Sequence, residues 1–147
     1  MVVLAIGISV LSGGAATGLQ AIQREAAPER GVLEFVKTAK APGQVYLIPP
    51  RLQDFRLVTG APIVADFKSI PYRGDEVLDW YERDRLLSFF YRDQISEIDC
   101  GLLDEFANSY GATHVVLEPD QRGLVCPGLE PIYDDGQYSV HRLDRQG

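Results

Sequence analysis

The residues best placed for chemistry in this chain are charged side chains that close short apolar runs. Val45–Ile48, Ile63–Ala65 and Thr113–Leu117 read as buried strands, and behind them stand Arg51, Asp66, Lys68 and Glu118. In an open α/β sheet, ligands gather at the carboxyl ends of the strands. Asp66 and Glu118 on one edge would pair as general acid and base or hold a cation, with Lys68 beside them. Strand-end carboxylates also cap the following helix, and nothing in the sequence fixes the separation of these two. Asp66, Lys68 and Glu118 are therefore the candidate catalytic residues, against a purely structural use of the same groups.

The remaining reactive types point to packing. His114 lies inside an apolar run, where a hydrogen-bonded core histidine is expected rather than a base. His141, near the end of the chain, reads as a surface strand residue. No G-x-S-x-G, P-loop or G-x-G-x-x-G occurs, and Gly13-Gly14 falls in an apolar segment rather than after a strand. Cys100 and Cys126 lack the close Cys/His spacing of a zinc site. They read as two buried thiols, or as a disulfide if the domain lies outside the reducing cytosol. Asp75, Glu76 and Asp79 suit a solvated helix start, where carboxylates favour the helix dipole. No cofactor or metal is implied.

These residues must be positioned by alternating helices and strands. Pro28 suits a first helical turn, and Val32, Phe35, Val36 and Ala39 follow at helical spacing until Ala41-Pro42-Gly43. A short helix carries Leu52, Phe55 and Val58 and closes at Gly60. Asp75 is the expected N-cap of a helix running to about Phe90. Its stretch Trp80–Tyr91 is apolar nearly all round, which predicts burial on both sides or, in the alternative, a docking face. Ser96-Glu97-Ile98-Asp99 reads as a capping box ahead of Leu103, Phe106, Ala107 and Tyr110, with Gly111 as the stop. Pro131–Leu143 reads as a hairpin turning at Asp135-Gly136. The fold class is α/β: a small, mostly parallel sheet with helices on both faces, a C-terminal antiparallel hairpin, and one apolar helix in front.

The chain has 147 residues and a net charge of −7, with Lys and Arg scattered. That is one domain's length, and the charge argues against nucleic acid as a partner. Residues 1–23 carry no charged side chain; the first is Arg24. As a helix they are long enough to cross a bilayer. Val2, Val3, Leu4, Ile6, Ile8, Val10, Leu11 and Leu19 favour insertion by about 2.5–5 kcal/mol. The glycines, serines and threonine among them reduce that. Gly14 and Gly18 form a small-xxx-small pair on which another membrane helix would pack. A signal peptide lacks its basic flank here, and a buried helix would have to hide nearly every face. The expected division is a membrane helix over 1–23, an α/β domain over 28–143 and a tail over 144–147. Arg24 and Arg30 are balanced by Glu25 and Glu29, so charge does not orient the span.

Several segments occur in a familiar order: Gln44–Pro50 (QVYLIPP), Asp54-Phe55-Arg56, Ile63–Tyr72 (IVADFKSIPY), Asp79–Arg83 (DWYER) and Ile132–Arg142 (IYDDGQYSVHR). Together they resemble the C-terminal extramembrane domain of large bacterial multi-pass membrane proteins of the C-type glycosyltransferase-like kind. In that family the last membrane helix feeds an amphipathic helix and then a small α/β domain. The resemblance implies a non-catalytic, membrane-associated accessory domain on the extracytoplasmic, periplasmic side, the terminal part of a larger polytopic protein with other membrane helices as partners. There a Cys100–Cys126 disulfide becomes possible. The family's catalytic acid lies in an early loop with no counterpart here, so no catalytic residue carries over. The competing expectation is a stand-alone soluble enzyme using Asp66, Lys68 and Glu118.

Overall fold

Alternation of apolar and polar side chains at helical spacing makes α1, Arg30–Ala39, amphipathic, and its Val32 and Val36 are fully buried. The computed structural model describes residues 27–66, 68–92 and 98–144. Residues 1–23, with Gly14 and Gly18, lie outside them, as do Ser96 and Glu97 of the expected capping box. Among the described residues no helix is long and apolar enough to cross a membrane. The chain divides at Arg30 into two units, and the second, Gly31–Gly147, carries the sheet.

After α1 come β1 (Tyr46–Leu47), α2 (Phe55–Thr59), α3 (Gly74–Phe90), α4 (Ile98–Ser109) and β2 (His114–Leu117). A 3-10 turn, Pro119–Gln121, leads to β3 (Leu129–Asp134) and β4 (Ser139–Leu143). The strand order is β1-β2-β4-β3. β1 and β2 run parallel, whereas β4 pairs antiparallel with both β2 and β3. The sheet is therefore mixed rather than mostly parallel. The terminal hairpin inserts β4 directly against β2 instead of adding at a distant edge. The run Ile63–Ala65 does not become a full strand: Ile63 makes one parallel bridge to Tyr46. Pro62 precedes it without an N–H, and its carbonyl instead takes the Tyr46 amide at 2.9 Å.

Side chains alternate across the strands and build two cores. On one face Tyr46, Ile48, Val116 and Val140 meet Val32, Val36 and Phe55 from α1 and α2. On the other, Leu47, Val115 and Leu117 meet Leu87, Phe90, Leu103 and Phe106 from α3 and α4. Helices thus cover both faces, as the pattern of runs predicts. Gly60 and Gly111 take left-handed φ values of 68° and 70° at the ends of α2 and α4, where a side chain would be strained.

Two local expectations fail. The N-cap of α3 is Arg73, not Asp75; Asp75 and Glu76 fall in the first turn, where they still complement the dipole. The apolar surround of α3 is only half covered. Leu87 and Phe90 are buried, but Leu78, Tyr81 and Phe89 on the opposite side stay 72%, 59% and 47% exposed. The sheet and α4 meet this helix from one side, and among the described residues no element covers its outer face.

Candidate functional site

The parallel run of Ile63, β1 and β2 sets Asp66, Arg51 and Glu118 at one edge of the sheet, as expected from their strand-end positions. Their side chains are used separately. Asp66 accepts from the Lys68 amide at 3.0 Å, from the Ser69 hydroxyl at 3.0 Å and from Arg56 at 3.0 Å. Burial opposes its charge, but these donors and the Arg56 charge outweigh that and hold its carboxyl below the usual carboxylate range. Its carbonyl takes the Trp80 indole N–H at 3.0 Å, tying the loop to α3.

Lys68 turns away from Asp66 and pairs through Nζ with Asp54 at 2.8 Å. Glu118 pairs with Arg51 and opens the 3-10 turn in a reciprocal capping box with Gln121. The glutamine's amide in turn donates to the Phe90 carbonyl at 3.0 Å, locking that turn to the end of α3. Each carboxylate is thus neutralised by its own arginine while closing a local turn. Among the described residues the ion pairs at this edge are separate: Asp66 with Arg56, Lys68 with Asp54 and Glu118 with Arg51.

His114 is 4% exposed, as a core histidine should be. Its ring stacks on Tyr46 with centroids 4.8 Å apart, and Nδ1 lies 2.8 Å from the Thr113 hydroxyl. Burial first, then the Arg142 charge, lowers its pKa. His141 departs from expectation: it is half-buried, with Nε2 3.0 Å from the Ser139 hydroxyl. It sits on the β4 face that also carries Leu143, turned toward the second core. Burial lowers its pKa against the opposing pull of Asp134. A Ser-x-His spacing on one strand is the signal by which sequence would find this pair. Ser139 is only 3% exposed, however, so its hydroxyl is not open to a substrate.

Cys100 and Cys126 are joined by a disulfide with Cα atoms 5.4 Å apart. It fastens the first turn of α4 to the segment ahead of β3 and helps to line a pocket of about 320 Å³. Leu103, Ala107, Leu129 and Leu143 supply apolar walls, and Asp104 and Asn108 supply polar groups. The periodicity of α4 marks Leu103 and Ala107 as inward-facing, but the segment across from them has no regular pattern, so sequence alone does not reveal the pocket. Its polar groups are carboxylates and an amide with no basic side chain among its lining residues. Among the described residues no cluster of three or more His, Cys, Asp or Glu side chains is arranged to hold a metal.

No curated protein matches the chain. A family model described as a domain of unknown function, DUF6798, matches residues 27–87, from just ahead of α1 to the last turn of α3.

Proposed function

We propose that this chain is a non-catalytic, membrane-associated accessory domain, the terminal part of a larger polytopic glycosyltransferase-like protein. One observation carries the reading: Asp66, Lys68 and Glu118, the strand-end residues suited to catalysis, are each engaged in a separate ion pair, with Arg56, Asp54 and Arg51 respectively. Three features support the membrane association and the side. The charge-free residues 1–23 are long enough to span a bilayer and end seven residues ahead of the first residue of α1 in sequence. The ordered segments from Gln44 to Arg142 resemble the outer domain of such proteins. The Cys100–Cys126 disulfide suits an oxidising, extracytoplasmic compartment.

Fractionation of cells expressing the full chain, beside a version starting at Pro28, tests the anchoring. The full chain is expected in the membrane fraction after alkaline washing, and the shortened one in the supernatant. Both in the supernatant, unprocessed, would end the reading. A ligand-binding screen of the full chain against the triple variant Asp66→Ala, Lys68→Ala, Glu118→Ala tests the other half. A ligand lost in a folded triple variant would favour a stand-alone enzyme.

A further inference from the structure

We infer that the loop around Ile70 and Tyr72 and the first turns of α3 form the face with which this domain rests on a bilayer. Ile70, Tyr72, Leu78 and Tyr81 would enter the headgroup region. This deepens the membrane-associated reading and rests on it.

The first support is the two-sided character of α3. At about 100° per residue, Leu78, Tyr81, Arg85 and Phe89 fall within one narrow stripe, nearly opposite Trp80, Leu87 and Phe90. The inner face packs on the core, whereas Leu78 and Tyr81 are 72% and 59% exposed. Phe89 has a partner, since the Arg92 guanidinium stands 4.1 Å over its ring. Ile70 and Tyr72, just ahead of the helix, are 55% and 104% exposed. Four exposed apolar side chains between residues 70 and 81 are the kind of feature that marks an interaction surface.

The second support is where this group lies. Leu117, at the carboxyl end of β2, pairs with Ser139, which pairs with Asp134 beside the hairpin turn. Gly31, near the start of α1, is packed against Asp135 of that turn. β1 and Ile63 run parallel to β2, so Asp66 lies at this same end. Gly31 and Asp66 therefore lie at the same end of the sheet, and Ile70 and Tyr72 follow Asp66 by four and six residues. Only residues 24–30 separate Gly31 from the charge-free segment, a reach of at most about 25 Å.

The third support is chemical. Tyrosine favours the membrane–water interface, where its ring is buried and its hydroxyl stays wet. Lys68, Arg73 and Arg85 stand among Asp75, Glu76 and Glu82 around these side chains, so the face carries no strong excess of one sign and a zwitterionic surface fits it. Four such side chains offer roughly 500 Å², well short of the ~800 Å² per partner of a stable dimer.

The test uses the full chain reconstituted in phosphatidylcholine vesicles containing acyl-brominated lipid, which quenches nearby indoles. Trp80 is the single native tryptophan and gives the baseline. Leu78→Trp and Tyr72→Trp each place a second indole on the proposed face, and Val125→Trp, at a site 88% exposed, places one off it. Tyr72 is wholly exposed, so its replacement leaves packing intact. Bromolipid is expected to quench the added indole at positions 72 and 78 at least twofold more than that at 125. If the vesicles float with the protein but positions 72 and 78 are quenched no more than 125, the face is wrong and the anchor stands. If the protein does not float, both ideas fall. Dimers cross-linked at position 72 without quenching would assign the face to a second copy and overturn the proposal.

Discussion

At the scale of single residues, Gly31 shows how closely the hairpin turn meets α1. A Cβ there would lie 2.3 Å from Asp135 Oδ2 and 2.6 Å from the Tyr133 hydroxyl. Asp135 cannot easily yield, because its Oδ1 takes the amides of Gln137 and Tyr138 at 2.8 and 2.7 Å while Oδ2 takes the Tyr133 hydroxyl. Gly31→Ala is expected to cost about 1–3 kcal/mol, as overpacking does, despite alanine's better helix propensity. Gly101, inside α4, has nothing within 4 Å of its would-be Cβ. Gly101→Ala should therefore stabilise by up to about 1 kcal/mol. Urea unfolding of the two variants checks the opposite signs; equal shifts would mean that the contact at Gly31 is not tight.

At the scale of elements, much of the fold was legible. Val32 and Val36 at helical spacing, the apolar run ending at Leu117, and the Asp135-Gly136 turn all report their local structure directly. The single bridge at Ile63 and the insertion of β4 beside β2 were not legible, because pairing partners are chosen by tertiary packing and not by local pattern. The site reads the same way. Placing Asp66 and Glu118 at one edge follows from strand direction, whereas their capture by Arg56 and Arg51 depends on where side chains from other loops arrive. The pocket beside α4 also needs the third dimension. Its clasp, the Cys100–Cys126 disulfide, spans 26 residues. Closing a loop of that length lowers the entropy of the unfolded chain by an amount worth about 3.5 kcal/mol. Replacing both cysteines by alanine should lower unfolding stability by about that much, in a chain that still folds. A change below about 0.5 kcal/mol would show that this crosslink does little for the fold.

At the scale of the whole molecule, the titrating groups set a stability curve that falls on both sides of neutrality. His114 and His141 both titrate below the ordinary histidine value, principally because burial disfavours their charged forms. The unfolded chain therefore binds more protons than the folded one once the pH drops below about 6.5. Stability present above that pH is lost as the solution is acidified toward the folded-state values. Asp66 and Asp135 add a second, lower window. Burial works against their charges, but backbone amides and neighbouring side chains hold both carboxyls below the usual range. Their contribution is present above about pH 4 and disappears as the pH falls further. On the alkaline side Tyr46, Tyr91 and Tyr110 titrate above the ordinary tyrosine value, with burial as the leading cause. Tyr133 is pushed up to about 12 by burial and by its bond to Asp135. Here the folded state retains protons that the unfolded state has lost, so stability declines above about pH 10. Urea midpoints measured from pH 3 to 11 should therefore show a plateau near neutrality, a first decline below about pH 6.5, a steeper one below about pH 4, and an alkaline decline. His114→Gln isolates one component: it removes the titrating ring, so it should flatten the decline between pH 6.5 and 5 while lowering the plateau through lost stacking on Tyr46. A variant that lowers the plateau but leaves the acid slope unchanged would show that His114 is not among the groups that set it.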